Sequence, residues 1–389
     1  MTTKQAPKSS VMRPWHLRAW SGMILSGWWR VISRNRFAFS PTGLPMALAI
    51  TCFSPFNSAL GLLQAAIFGR KIEDTSLPED PVFVLGHWRS GTTLLHEMLV
   101  CDPRHTYPDA AACFAPSHFL ITGPLLSKYL TFLMPSQRPM DNMPIHWSLP
   151  QEDEWALCNL GLPSPYLTVL FPNRPPQDPE YLDLRNVPAA DLQRWRQALL
   201  WFLKALTLRE RKRLVLKTPL HTARVRTLLA MFPKARFVHV VRNPYSIFPS
   251  TVHTWKQLYR WESVQMANHA GLDGYVFDSF VRMYRAFEED RELVPAAQLC
   301  EVRYEDLVRD KAGELKRVYD HLGLGDFEQA LPTLEGYLAK TTGYQSNRFE
   351  LDPEIREQIT TRWQDYFERY GYAKQSGERM NDSVSGRAS

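Results

Sequence analysis

Val82-Phe83-Val84-Leu85-Gly86-His87-Trp88-Arg89-Ser90-Gly91-Thr92-Thr93 joins a short apolar run to a glycine-bearing turn, and the amphipathic pattern of residues 92–100 follows at once. A four- or five-residue apolar run bounded by glycine reads as a buried strand, and the repeat after it as a helix. A turn between a strand and a helix N-terminus directs several backbone N–H groups at one point, where they cradle an anion. Gly86 and Gly91 stand at the GxxxxG spacing of a nucleotide-triphosphate loop, but Thr92 occupies the place of the loop lysine. The triphosphate reading is weakened accordingly, and Arg89 supplies the positive charge instead. A glycine turn with no ligand is the plainer alternative.

Outward from this stretch, residues 214–216, 236–241 and 299–303 are three more apolar runs of strand length. Helical periodicity fills the gaps at about 191–208, 221–231, 245–260, 273–290, 311–322 and 353–369. Strands alternating with helices predict an α/β fold with a mainly parallel β-sheet of phosphate-loop type, flanked by helices. Residues 149–188, rich in proline and aspartate, read as an irregular insertion and a place for an acceptor pocket. Three segments result: an apolar, aromatic, helical N-terminal segment over 1–75, a main domain over 76–373, and a polar, disordered tail over 374–389.

The N-terminal segment departs from ordinary soluble composition. No charged residue occurs from Phe37 to Gly69, long enough to cross a bilayer. Pro41, Pro45 and Ser54-Pro55-Phe56-Asn57 interrupt it, which predicts two short helices near 45–53 and 59–68 joined by a turn. Upstream, Trp15, Trp20, Trp28 and Trp29 alternate with Arg13, Arg18, Arg30 and Arg34, a composition suited to a membrane interface. A packed cap, an interfacial contact and a true span all remain open from sequence. The net charge of +6 suits an anionic ligand or membrane surface. The basic run Arg209–Arg213 reads as a solvated helix end rather than a nucleic-acid patch, so no nucleic-acid partner is expected. Five scattered cysteines without a CxxC pair point away from a disulfide framework or zinc site and toward a reducing, cytoplasmic setting, peripheral at the inner face of a membrane if the apolar segment touches one.

The segment Trp88-Arg89-Ser90-Gly91-Thr92-Thr93 resembles the 5′-phosphosulfate loop of sulfotransferases that use 3′-phosphoadenosine 5′-phosphosulfate (PAPS), in the group carrying (P/W)RSGTT. The resemblance extends over roughly 80–370. It implies that Arg89, Ser90, Gly91, Thr92 and Thr93 hold the 5′-phosphosulfate. It implies that Arg242, at a strand end, and Ser250, eight residues on, bind the 3′-phosphate; a guanidinium fork and a hydroxyl suit that group physically. Lys217 in Lys217-Thr218-Pro219 resembles the family lysine that faces the transferring sulfonate. Tyr304 in Arg303-Tyr304-Glu305-Asp306-Leu307 resembles the tyrosine beside the adenine nucleotide, and Arg348 stands in the segment that closes over PAPS.

The catalytic base is open at this stage. Cytosolic relatives carry a histidine where Pro219 stands, and His221 lies two residues on. Glu152-Asp153-Glu154 precede a helical pattern; they either stabilise its N-terminus or supply a base, with Glu154 and Glu152 as candidates. Asp109, 20 residues after Arg89, is a third possibility. The implied reaction is in-line transfer of a sulfonate from PAPS to an acceptor hydroxyl or amine, leaving adenosine 3′,5′-bisphosphate, with Arg89 and Lys217 stabilising the leaving phosphate and no metal required. The apolar segment favours a lipidic acceptor such as a sterol or quinone derivative. A nucleotide kinase would want a loop lysine and a magnesium-binding acid, and a non-catalytic scaffold would not need Arg89 and Lys217.

Overall fold

A computed structural model describes residues 16–134, 146–341 and 349–374. Its centre is a five-stranded sheet, β1 (Val82–Leu85), β2 (His105–Thr106), β3 (Arg213–Lys217), β4 (Arg236–Val241) and β5 (Leu299–Arg303), in the order β2-β3-β1-β4-β5. Every pairing is parallel. Parallel strands need crossovers, and helices supply them on both faces. Val82 and Val84 point into one core with Val215, Val238 and Val240, whereas Phe83 and Leu85 point into the other with Leu216 and Phe237. This period-two alternation, apolar on both sides, is why the strands read as unbroken hydrophobic runs.

The helices used below are α1 (Leu25–Arg34), α2 (Leu44–Asp74), α3 (Thr92–Leu99), α4 (Ala110–Phe114), α5 (Phe119–Tyr129), α6 (Asp153–Asn159), α7 (Ala189–Arg209), α8 (Val225–Met231) and α9 (Pro244–Glu262). The α/β class, the four longer strands and most helices lie where the sequence put them. β2 was not anticipated; two residues are too few to show a period.

The largest difference is α2, one helix of 31 residues where two and a turn were expected. Pro55 lies inside it and cannot donate to the Thr51 carbonyl, but the Ser54 hydroxyl donates to that oxygen at 3.3 Å. Tertiary bonds reinforce the same stretch. Asn57 Nδ2 donates to Ser21 O at 2.8 Å and Met23 O at 3.1 Å, and Asn57 Oδ1 meets His118 Nε2 at 3.2 Å. Trp20, Met23, Trp28, Val31, Ala47 and Ile50 share a core with the Phe83 face of the sheet, so the described N-terminal residues pack on the main domain.

Residues 149–188 are also more ordered than expected. They form α6 and two short 3-10 turns, Pro165–Val169 and Pro179–Leu182, with many buried positions. The parallel register brings Val84 beside Lys217 and Leu85 beside His239. The C-terminal ends of β1, β3 and β4 therefore open side by side, the place where ligands bind in such sheets.

Candidate active site

The turn from Gly86 to Gly91 leaves β1 and enters α3. Gly86 (φ 142°), Arg89 (φ 69°) and Gly91 (φ 104°) all have positive φ. A Cβ on Gly86 would lie 2.5 Å from Ser90 Oγ and 2.7 Å from Val240 O; one on Gly91 would lie 2.2 Å from the Tyr304 ring. Only glycine fits at either position. Ser90 Oγ is buried and has no hydrogen-bond partner among the described residues. A buried hydroxyl left open at a helix N-terminus fits an anionic ligand. Gly86 N donates to Thr222 Oγ1 at 2.7 Å, which ties the loop to the turn after β3.

The residues expected at the second phosphate converge on this loop. Arg242, at the end of β4, donates through Nη1 to Arg89 O at 2.8 Å, and its guanidinium lies 4.1 Å from the centre of the Tyr304 ring. Arg89 Nε donates to Ser250 Oγ, on α9, at 3.0 Å. Thus Ser250, Arg89, Arg242 and Tyr304, drawn from four separate elements, are linked in a chain of contacts. The field there is positive. His253 is held below its ordinary pKa by burial and then by the Arg89 and Lys256 charges. His96, beneath β3, is pushed down to about 3 by burial and then by Lys217.

Lys217 closes β3 and is almost fully buried. Its Nζ lies 2.6 Å from Glu152 Oε1. Glu152 occupies the N-cap position of α6 but makes no capping bond; its other oxygen accepts from the Tyr166 phenol. Tyr166 Oη accepts in turn from Trp88 Nε1 at 3.1 Å. The three consecutive acids diverge, as their placement at a helix start requires. Asp153 accepts from Thr218 Oγ1 at 2.8 Å and meets His221 Nε2 at 2.8 Å, entirely buried. Burial alone would raise the Asp153 pKa, but the His221 contact and hydrogen bonds outweigh it and hold the carboxyl below its usual value. Glu154 is sealed against Arg224 at 2.6 Å, both side chains fully buried, and accepts from the Ser164 hydroxyl.

This geometry narrows the candidate bases. The Glu154 and His221 side chains are fully buried, Glu154 against Arg224 and His221 Nε2 against Asp153, while His221 Nδ1 has no partner among the described residues. Asp109 caps α4 through Ala112 N at 2.8 Å and pairs with Arg209 at 2.8 Å, so both its oxygens are engaged away from Lys217. Glu152, with a partly exposed side chain beside Lys217, is the remaining candidate. Arg348 lies outside the described residues. The basic run is engaged in local pairs, Arg209–Asp109, Lys212–Glu210 and Arg213–Glu79. Tyr166 and Arg224 escaped the sequence reading. Trp88, inside the loop motif, was the visible half of the Trp88–Tyr166 pair; nothing local marks Tyr166 or Arg224.

The sequence pattern of the sulfotransferase family matches residues 81–329. Omega-hydroxy-beta-dihydromenaquinone-9 sulfotransferase Stf3 of Mycobacterium tuberculosis is 44% identical over 385 residues, covering 98% of this chain and 99% of that protein; the Mycobacterium bovis protein of the same name matches equally. Among solved structures, sulfotransferase STF1 of M. tuberculosis superimposes with a TM-score of 0.61 at 19% identity, covering 87% of this chain and 90% of that one. STF9 of Mycobacterium avium gives 0.59 at 17% identity, covering 92% and 98%. With a family match over most of the chain and a near full-length relative, this protein belongs to the sulfotransferase family.

Proposed function

We propose that the protein transfers the sulfonate of PAPS to the hydroxyl of a lipidic acceptor, releasing adenosine 3′,5′-bisphosphate. The observation that carries this reading is the chain of contacts joining Ser250, Arg89, Arg242 and Tyr304 at the loop with the unpartnered Ser90 hydroxyl, a loop linked through Trp88 and Tyr166 to the Lys217–Glu152 pair. The loop, with Ser90, Gly91, Thr92 and Thr93, would hold the 5′-phosphosulfate, Arg242 and Ser250 the 3′-phosphate, and Tyr304 the nucleotide. The donor supplies an activated sulfonate whose bond to phosphate oxygen breaks as the bond to the acceptor oxygen forms. Arg89 and Lys217 place fixed positive charge where the leaving phosphate gains negative charge. Glu152 accepts the acceptor's proton. A lipidic hydroxyl is favoured by the 44%-identical relative, whose name specifies an omega-hydroxylated menaquinone derivative.

The same reading places the enzyme at the cytoplasmic face of a membrane, touching it through the N-terminal 70 residues. α2 is long and apolar enough to cross a bilayer, with only 22% of its most apolar window buried. Its buried residues Ala47, Ile50, Ser54, Asn57 and Gln64 recur at three- to four-residue steps (Gln64 two turns on), and Asn57 is hydrogen-bonded to His118 and Gln64 to Leu120 N. Leu48, Phe53, Phe56, Leu62 and Ile67 face outward, exposed. A helix pinned along one face by polar bonds and apolar along the other suits lying in the interface, with Lys71 exposed in its last turn and Trp29 and Phe37 exposed in the preceding segment.

Calorimetry with adenosine 3′,5′-bisphosphate, and with ADP and ATP·Mg²⁺ as controls, tests the donor site. Tight binding of the bisphosphate alone, lost in Arg242→Ala, is expected; preference for ATP·Mg²⁺, or no binding, refutes the reading. Cosedimentation with vesicles of phosphatidylglycerol and phosphatidylethanolamine tests the surface. The wild type is expected to sediment and a Leu48→Ser/Phe56→Ser/Leu62→Ser variant to stay in solution; a wild type that stays in solution sinks the membrane contact.

A further inference from the structure

Glu152 would be a poor base if left to itself. A glutamate at a helix start has several rotatable bonds, and misplacing a reacting group by about 1 Å costs roughly a hundredfold in rate. Here both carboxylate oxygens are held, Oε1 by the Lys217 ammonium at 2.6 Å and Oε2 by the Tyr166 phenol. The direction of the second bond is fixed by chemistry. An indole N–H can only donate, so Trp88 Nε1, 3.1 Å away, obliges the phenol oxygen to accept. The single phenol hydrogen must then go to Glu152. The ring itself is clamped, buried with its centroid 5.0 Å from that of Trp155 and 6.2 Å from that of Trp88. Trp155 is braced by Trp20, 5.0 Å away, from the N-terminal segment. Burial first, and then the Glu152 charge, pushes the phenol's pKa well above its usual value, so it stays a donor at working pH.

We propose that Tyr166 is a positioning residue for sulfonate transfer: oriented by the loop residue Trp88, its phenol aims the Glu152 carboxylate at the acceptor's hydroxyl proton. The donor loop and the base are thereby built on one hydrogen-bonded chain, Trp88–Tyr166–Glu152–Lys217. This rests on Glu152 being the base.

The test is a double-mutant cycle on the full-length enzyme with Glu152→Gln, Tyr166→Phe and the pair combined. Turnover is read with radiolabelled PAPS and an omega-hydroxylated menaquinone in detergent, and bisphosphate affinity by calorimetry. Tyr166→Phe keeps the ring and its packing. It is expected to lower kcat roughly ten- to a hundredfold, with bisphosphate Kd and acceptor KM within about twofold of wild type. In the Glu152→Gln background, adding Tyr166→Phe should change turnover by less than about twofold, because the phenol acts only through that carboxylate. Trp88→Phe should reproduce the kcat loss of Tyr166→Phe. Losses that multiply in the double variant, or full kcat in Tyr166→Phe beside a crippled Glu152→Gln, overturn the proposal. Wild-type turnover in Glu152→Gln instead removes the base assignment beneath it.

Discussion

Lys217 Nζ and Glu152 Oε1 lie 2.6 Å apart, joining the end of β3 to the start of α6 across 65 residues of sequence. The pair sets the Lys217 ammonium against the Glu152 carboxylate, and Tyr166 links that carboxylate to Trp88 of the loop. Glu152→Gln is expected to lower kcat by about 10²- to 10⁴-fold, the usual worth of a general base. Its stability should also fall, because the almost fully buried Lys217 loses its charged partner, but by less than at Glu154, since glutamine keeps an oxygen facing the ammonium and the side chain is partly exposed. Turnover and thermal melts measured on the same sample check both halves.

The adjacent Glu154 should behave in the opposite way. Its carboxylate and Arg224 are both fully buried and paired at 2.6 Å. Removing one partner strands the other charge, a loss of about 3–5 kcal/mol. Glu154→Gln is therefore expected to unfold at markedly lower denaturant, while the fraction that stays folded binds bisphosphate as wild type does. Urea titration with calorimetry distinguishes this from a catalytic defect.

Gly91→Ala tests the loop geometry. With φ at 104° and the Tyr304 ring 2.2 Å from where a Cβ would stand, alanine must strain the backbone and displace the ring. Tyr304 carries the Arg242 guanidinium on its face, 4.1 Å from its centre, so the displacement reaches Arg242, proposed to hold the 3′-phosphate. Bisphosphate affinity is expected to fall at least about tenfold. An unchanged Kd would show that the ring is free to move aside.

Stability should depend on pH through Glu262, at the end of α9. Burial raises its pKa to about 7, against the opposing effects of Arg18 and the Ala19 N–H. A carboxyl whose folded pKa is raised is tolerated when protonated and costs stability when ionised. Its favourable share is complete at pH below the unfolded value of about 4.5 and is lost as pH rises through about 7. Thermal melts of wild type and Glu262→Gln from pH 4 to pH 8 should diverge across that window, with the wild type losing ground. A constant difference between the two would rule out Glu262 as the titrating group.

Much of the fold was legible because the deciding signals are local. Val82–Leu85, Arg236–Val241 and Leu299–Arg303 are apolar runs at strand length, and the helices between them repeat at helical period. The loop was legible too, since Gly86, Arg89 and Gly91 act through backbone conformation at fixed spacing. α2 was misread because proline ends a helix in isolation. Here the Ser54 hydroxyl and the Asn57 contacts to Ser21, Met23 and His118 compensate for the missing bond, and those partners lie up to 61 residues away.

By itself, the sequence determined the strand-loop-helix unit and the alternation of elements, because propensity and periodicity act over a few neighbours. Only the tertiary structure decided how three consecutive acids are partnered. Glu152, Asp153 and Glu154 are chemically alike in sequence, and what separates them is where α6 meets β3 and the turn that follows: Lys217 and Tyr166 for the first, Thr218 and His221 for the second, Arg224 and Ser164 for the third. Burial and partner geometry set those roles, and both exist only once segments distant in the chain are packed together.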